Sequence, residues 1–339
     1  MSSIKSLLIA SLIVFSGSCF AAITEFRLAS QLPDKHALGE NLHLFANEVE
    51  RLSHGQMKIK IYPASQLYSD KEMPKAIAVG AVDMGIISLT QFAGTIPAVD
   101  LFYLPFLFDN QDAVLAAIAP QSPVRIPLDE AMRKTGTRVM WWQPYGSTVI
   151  MSHTAIRTPK DLAGKKVRVF GKTVGEFITA VGAGPTLLSG AEQYLAYQRG
   201  TVDAGLSGIL AIKSRKLYQL MPSITLTRHA DVEFVSLINE QRWNDLSTEQ
   251  QSILTQAARI AENQLRHDIP RLEREAEEFV AAQPNTTVIE LSKEERDSWR
   301  VASAPVRQQF LQRTGKLGEQ LLTAVDKVNQ QIREQQDAN

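Results

Sequence analysis

Apolar and polar positions alternate along this chain first with the period of a strand and then with that of a helix, and the two keep trading places. Glu25 to Ala29 alternates as a strand, Gln31 to His36 makes a polar loop, and a helical pattern runs near Leu38 to Ser53, closed by His54-Gly55. Met57 to Tyr62 sets Ile59 and Ile61 against Lys58 and Lys60 as a strand, broken by Pro63. A helix is predicted near Ser69 to Val79, ended by Gly80. Ala81 to Leu89 then reads as a strand buried on both faces, leading to a loop with Gln91 and Phe92. Asp100 to Asp109 is crowded with aromatics around Pro105 and fits neither period. Asp112 to Ala119 and Pro127 to Thr135 read as helices. Thr137 to Trp142 and Val149 to Ser152 read as two strands, with Pro144-Tyr145-Gly146 between them. Trp141 and Trp142 are neighbours and so face opposite sides, which leaves at most one for either sheet face.

Thr158 is suited to cap a short helix with Pro159 in its first turn and Asp161 at its positive end; Gly164 is its exit. Val167 and Val169 then alternate with Arg168 as a strand. After a further strand at Val232 to Asn239 the pattern turns almost wholly helical. Ser247-Thr248-Glu249-Gln250 is a capping box, and the amphipathic run behind it reaches about Ala282, about 50 Å of helix with a kink expected at Pro270. Ser292-Lys293-Glu294-Glu295 starts another capped helix, whose polar end after Gln330 should fray.

A short internal repeat decides the architecture. Gly80-Ala81-Val82-Asp83-Met84-Gly85 returns as Gly200-Thr201-Val202-Asp203-Ala204-Gly205, and His54-Gly55-Gln56-Met57-Lys58-Ile59 has its counterpart in Ala163-Gly164-Lys165-Lys166-Val167-Arg168. Each half reads helix, Gly, strand, helix, Gly-x-Val-Asp-x-Gly, strand. That order predicts an α/β fold with parallel sheets covered by helices, and two similar lobes with a ligand cleft between them.

Composition narrows the picture. A chain of 339 residues, 44% hydrophobic and 21% charged, is globular and long enough for two domains. Lys+Arg and Asp+Glu both number 36, so no basic excess points to nucleic acid. Lys5, the apolar run Leu7 to Phe15 and the small residues Ser16-Gly17-Ser18 have the layout of a secretory signal, with a cut after Ala21. Such a cut removes Cys19, the single cysteine, and with it any disulfide or cysteine-based metal site. A lipid-modified Cys19 is the alternative, opposed by Ser16, where such signals usually carry a leucine-like residue.

The catalytic signatures fail one by one. Gly171-Lys172-Thr173 lacks the earlier glycine of a phosphate loop, which falls on Lys166, and Gly182-Ala183-Gly184-Pro185 follows a helix, not a strand. Gly205-Leu206-Ser207-Gly208 lacks the second spacer of a nucleophile elbow. The histidines have no zinc-type spacing and read as surface or capping residues. Glu273, Glu275, Glu277 and Glu278 read as a solvated face beside Arg271 and Arg274. No enzyme activity, metal or cofactor is expected. What remains is Arg168, a fixed fork of donors near a strand end, which suits either a structural ion pair or a bidentate clamp for a ligand carboxylate.

At Arg168 a family likeness begins. The string Thr-Pro-x-Asp-Leu-x-Gly-x-Lys-Val-Arg-Val from Thr158, with Pro63-Ala64-Ser65-Gln66-Leu67, Gly80-Ala81-Val82-Asp83, Leu104-Pro105-Phe106 and Gly200-Thr201-Val202-Asp203, resembles the solute-binding proteins of TRAP transporters over nearly the whole mature chain. The resemblance implies a periplasmic, monomeric, two-lobe α/β protein with a long helix spanning both lobes. It implies capture of a small organic acid in the cleft and delivery to the membrane permease subunits of an ion-gradient-driven transporter. Arg168 stands at the position of the family's carboxylate-binding arginine. Ser88, with Gln91 and Phe92 close by, stands where the family often has an acidic or polar group, and Ser207-Gly208 where it often has an asparagine. No arginine lies in Thr148 to Thr154, where the family tends to carry a second one, which implies one strong anionic contact and a monocarboxylate. Its tail would meet Phe92, Trp142, Tyr145, Phe170 or Phe234, each of which also fits plain core, with Gln31, Asp34 and His36 as a rim on the opposite lobe or simply a solvated loop. The expected layout is a signal at 1–21, a first lobe at 22–145 plus about 234–273, a second at 146–233 plus about 274–330, and a frayed tail at 331–339. An importer driven by ATP would use similar lobes, and an exported hydrolase using Ser207 is the remaining alternative.

Overall fold

The computed structural model describes residues 23–338, so the expected signal segment and its cut after Ala21 lie outside the described residues. Strand β1 (Thr24–Ser30) lies parallel between β2 (Met57–Tyr62) and β3 (Met84–Ser88), joined by α1 (Ala37–Leu52) and α2 (Met73–Ala78). Helix α1 begins where it does because His36 caps it: the Nδ1 atom accepts the Leu38 amide at 3.1 Å. The aromatic stretch that fitted no period carries a 3-10 turn at Pro97–Tyr103, ahead of α3 (Gln111–Ala117) and α4 (Arg125–Arg133). Across strand β4 (Thr137–Ser152) the plan repeats. Strand β5 (Lys166–Val169) lies parallel between β6 (Gly184–Leu187) and β7 (Ala204–Gly208), joined by α5 (Lys172–Ala180) and α6 (Gln193–Gln198). The residues after Thr158 form only a 3-10 turn, Pro159–Leu162. Helix α7 (Ile209–Ser214) and strand β8 (Ser223–Leu226) follow β7.

The repeated glycine motif has the same structural meaning in both lobes. Gly80 and Gly200 leave their helices at φ of 74° and 65°, in the left-handed region that favours glycine. Asp83 then accepts the Arg27 amide of β1 at 2.9 Å, and Asp203 the Lys166 amide of β5 at 2.7 Å, so each aspartate pins its lobe's central strand. Gly85 and Gly205 let the preceding helix settle on the strand: a Cβ at the first would stand 2.8 Å from Ile77 Cδ1, and one at the second would overlap the Tyr197 hydroxyl.

Strand β9 (Asp231–Asn239) runs antiparallel to both β3 and β4. The two strands expected around Pro144-Tyr145-Gly146 are one, because register shifts between Val139 and Trp141 and between Pro144 and Gly146 absorb the proline without ending the pairing. Strand β4 continues onto β7 and β8, and β8 pairs with β10 (Thr287–Glu290). All ten strands among the described residues thus join one sheet, along β2-β1-β3-β9-β4-β7-β5-β6, and it is mixed where the repeat suggested parallel. Trp141 and Trp142 are both fully buried, on opposite faces: the first bonds Asn41 and packs on Phe45, the second bonds Asp129 and packs on Phe102.

After α8 (Glu240–Asn244), the capping box at Ser247 and Gln250 opens α9 (Thr248–Ala281), which runs through Pro270 as one helix. Its Leu254, Ala257 and Ala261 join the core around Phe26, Leu38 and Phe45, while Ile269, Ala276 and Val280 join a second core with Met151, Ile212 and Met221. The helix therefore spans both lobes, as expected. Helix α10 (Lys293–Asp337) breaks at Gly315 (φ 54°, ψ −137°). Before the break Arg313 pairs with Glu176 of α5; after it Asn329 donates to the Leu107 carbonyl, Arg333 pairs with Asp109 and Gln336 donates to Asp112. These contacts keep residues 331–337 helical where fraying was expected. They also tie the end of the chain to the first lobe, where residues up to 330 were expected in the second.

Candidate functional site

Strand alternation buries Val167 and Val169 on one face of β5 and turns Arg168 to the other, where its guanidinium is enclosed. Its Nε donates to the Leu188 carbonyl at 3.0 Å, its Nη1 to the Leu206 carbonyl at 2.6 Å, and the group lies 5.3 Å from the Phe170 ring centroid. Among the described residues no carboxylate forms an ion pair with it. A cation buried against neutral acceptors alone is costly, and burial pushes its pKa down. The reading of Arg168 as half of a structural ion pair therefore fails.

Facing it, the first lobe contributes Gln31, His36, Asp70, Ser88 and Gln91. The His36 ring stacks on Tyr145 at 5.0 Å, and Tyr145 on Phe234 at 5.2 Å, across the strands that join the lobes. Burial, with Arg215 adding to it, holds the His36 pKa to about 3, so the ring is neutral. The Tyr145 hydroxyl meets Ser207, and a Cβ on Gly208 would stand 2.6 Å from the Tyr145 ring, so glycine here admits the ring. Asp70 accepts the Ser88 amide at 3.2 Å and a bond from the Gln91 side chain. Burial pushes its carboxyl up to about 7, against the pull of Arg215 and Arg168.

The structure thus brings Arg168, Phe170, Tyr145, Phe234, Ser207, Gly208, Gln31, His36, Ser88 and Gln91 into one neighbourhood where the lobes meet. It does not bring in two of the candidates. Among the described residues no hydrogen bond, ring contact or charge interaction joins Phe92 or Trp142 to this group, because Trp142 is taken up by Asp129 and Phe102, and Phe92 sits in the apolar core of the first lobe. Asp34 stays exposed against His43.

Sequence reasoning missed Asp70, Gly190, Tyr197 and Arg215. Arg215 directly follows α7, and its Nη1 donates to the Gly190 carbonyl. Like Arg168 it acts electrostatically on Tyr145, Tyr197 and Asp70, so the cleft holds two guanidiniums where one was expected. The second arginine lies not within Thr148 to Thr154 but at the first residue beyond the helix that leaves β7.

Alternation along β9 sends Asp231 and Glu233 to the face opposite Phe234. Asp231 there borders a cavity of about 400 Å³ shared with Glu273, Arg228, Arg296 and Arg300. Glu273 accepts the Ser147 amide at 2.8 Å and a bond from Gln111, and burial pushes its carboxyl up to about 8. It is not part of a solvated face, whereas Glu275 and Glu278 are exposed as expected. His229 likewise is no surface residue: it is buried, with its ring 4.6 Å from that of Phe177.

Residues 28–314 match the family described as bacterial extracellular solute-binding protein, family 7. The C4-dicarboxylate-binding periplasmic protein DctP of Rhodobacter capsulatus is 27% identical over 281 residues, covering 82% of this chain and 83% of its own. The 2,3-diketo-L-gulonate-binding periplasmic protein YiaO of Escherichia coli is 29% identical over 263 residues, covering 76% and 78%. Among solved structures, the sugar acid binding protein DctPAm of Advenella mimigardefordensis, in complex with galactonate, superposes with a TM-score of 0.86 at 26% identity, covering 91% of this chain and 99% of its own.

Proposed function

Because this chain belongs to family 7 of the bacterial extracellular solute-binding proteins, a family of receptors and not enzymes, we propose that its inter-lobe cleft captures a small organic acid through Arg168. The acid is then delivered to the permease subunits of a TRAP-type transporter driven by an ion gradient. The observation that carries this reading is a buried guanidinium held by two backbone carbonyls with no carboxylate partner among the described residues. Two carbonyls fix its orientation and leave Nη2 for an anion, and charge-assisted bonds of that kind are the strong ones.

Closure of the lobes does the rest. Thr173 of α5 donates to Asp100 at 2.7 Å, and the Phe106 amide donates to the His229 carbonyl, so the lobes meet through polar contacts as well as through the strands that join them. Water leaves the enclosed site, and the ion pair strengthens as the local dielectric falls. The hinge is taken near Tyr145 and Phe234. The receptor acts outside the cytoplasm as a single chain, after removal of the segment up to Ala21.

The test is calorimetry and thermal shift of the purified mature chain with organic acids. Arg168→Ala should weaken the bound acid on the order of 100-fold, about 2.7 kcal/mol. Arg168→Lys, which keeps the charge and loses the planar fork, should recover little of it. Unchanged affinity in both variants would overturn the assignment.

A further inference from the structure

Behind the strands that join the lobes, on the face opposite Phe234, one side chain ties three elements together. The Glu273 carboxyl of α9 accepts the Ser147 amide of β4 on Oε1 at 2.8 Å and the Gln111 side-chain amide of α3 on Oε2. Asp231 of β9 accepts the Ser147 hydroxyl at 3.0 Å, so amide and hydroxyl of Ser147 are both held. Gly146 makes the seat. It has a φ of 101°, it lies at the register shift that follows Pro144, and a Cβ on it would overlap Glu273 Oε1. Tyr145, one residue earlier, stacks on both His36 and Phe234, so whatever holds Gly146 and Ser147 also sets where the Tyr145 ring stands.

The same carboxyl bridges the lobes. Helix α9 puts Leu254, Ala257 and Ala261 into the first core and Ile269, Ala276 and Val280 into the second, so Glu273 moves with the second lobe. Gln111 opens α3, whose Ala113 and Val114 belong to the first core. Pro270, one turn before Glu273, cannot donate to the Arg266 carbonyl, which leaves α9 one ladder bond short and easier to bend between its halves. The cavity of about 400 Å³ between Phe106 and Gln111 on one side and Arg228 and Arg300 on the other leaves the lobes unpacked there. Rotation of one lobe against the other therefore changes the Gln111–Glu273 separation. Among the described residues no cation forms an ion pair with Glu273, whose hold is its bonds to Ser147 and Gln111. We propose that Glu273 is the latch of the hinge, a positioning residue that keeps the lobes in the arrangement seen here and fixes Tyr145 from behind. Solute capture then depends on a side chain that the solute never touches. That consequence rests on the receptor reading above; the latch itself does not.

Lys75 and Arg199, exposed on the first and second lobes, are replaced by cysteine in the chain from Ala22, which has no cysteine of its own, and spin-labelled. Pulsed dipolar spectroscopy then reads the spacing of the lobes with no solute present. Gln111→Ala and Glu273→Ala should each lower the ratio of molecules at the main native spacing to molecules at other spacings about fivefold, as the loss of one hydrogen bond predicts. Glu273→Gln keeps an acceptor for Ser147 and pairs with a turned Gln111 amide, so it should stay within about twofold of the native ratio. Gln111→Ala leaves β4 and α9 intact and decides the matter even if Glu273→Ala does not fold. An unmoved spacing in Gln111→Ala overturns the latch, and so does a lowered thermal midpoint without a change of spacing, the mark of a carboxyl that only supports the fold. A Glu273→Gln chain as disturbed as Glu273→Ala overturns it too. Since no solute enters the measurement, a failed search for a bound acid would remove the receptor reading without touching this result.

Discussion

The carboxyl of Asp70 links folding to binding. An unfolded aspartate titrates near 3.8, while the folded group titrates at about 7 because burial outweighs its hydrogen bonds and the two arginines. Between those values the native chain holds a proton that the unfolded chain has lost, so this group's contribution to stability falls as pH rises through the window. Ionised Asp70 also repels an incoming anion. Relative to the native protein, Asp70→Asn should therefore gain both thermal midpoint and acid affinity as pH is raised from about 4 to about 8, with no further change above that. Thermal-shift and calorimetric series across that range check it, and a difference that does not change with pH would count against the assignment. At this scale Arg168 was legible because strand alternation and a following glycine fix its direction. Arg215 was not, since what makes it matter is Gly190 on a distant loop. Trp142 was misjudged because β4 is covered on both faces, and alternation cannot tell a cleft-facing ring from a core-facing one.

At the scale of elements, the close seat of α6 on β7 depends on Gly205, where a Cβ would overlap the Tyr197 hydroxyl. Gly205→Ala should cost about 1–3 kcal/mol in urea denaturation through overpacking. Adding Tyr197→Phe should recover part of that, because the hydroxyl is the nearest atom of the ring; no recovery would show that the strain lies elsewhere. The element pattern itself was mostly readable. Capping boxes at Ser247 and Ser292 start α9 and α10 where the sequence put them, and the two Gly-x-Val-Asp-x-Gly motifs end their helices alike. The failures have local causes. Pro144 and Gly146 look like a turn but form an irregularity inside a continuous strand, and the helical end after Gln330 is fixed by Asp109 and Asp112, which no local pattern reveals.

For the molecule as a whole, one lobe lies close against the other where Gly171 meets Thr90. A Cβ on Gly171 would overlap the Thr90 Oγ1, which bonds Asp100 at 3.3 Å and so has little room to turn. Gly171→Ala should act as a wedge, lowering acid affinity about tenfold while leaving the melting point without ligand within about two degrees. Calorimetry gives the first number and thermal shift the second, and full affinity in this variant would mean that the lobes need not meet there. The two-lobe plan was visible in the repeat; the contacts that close it were not, because they join residues far apart along the chain. Helix α10 carries this furthest, since Asn329, Arg333 and Gln336 complete the packing around Leu107 to Asp112. Those bonds join residues 222 and 224 positions apart, so the first lobe cannot complete its packing until nearly the whole polypeptide is available, and its last folding step waits on the slowest kind of contact a chain makes.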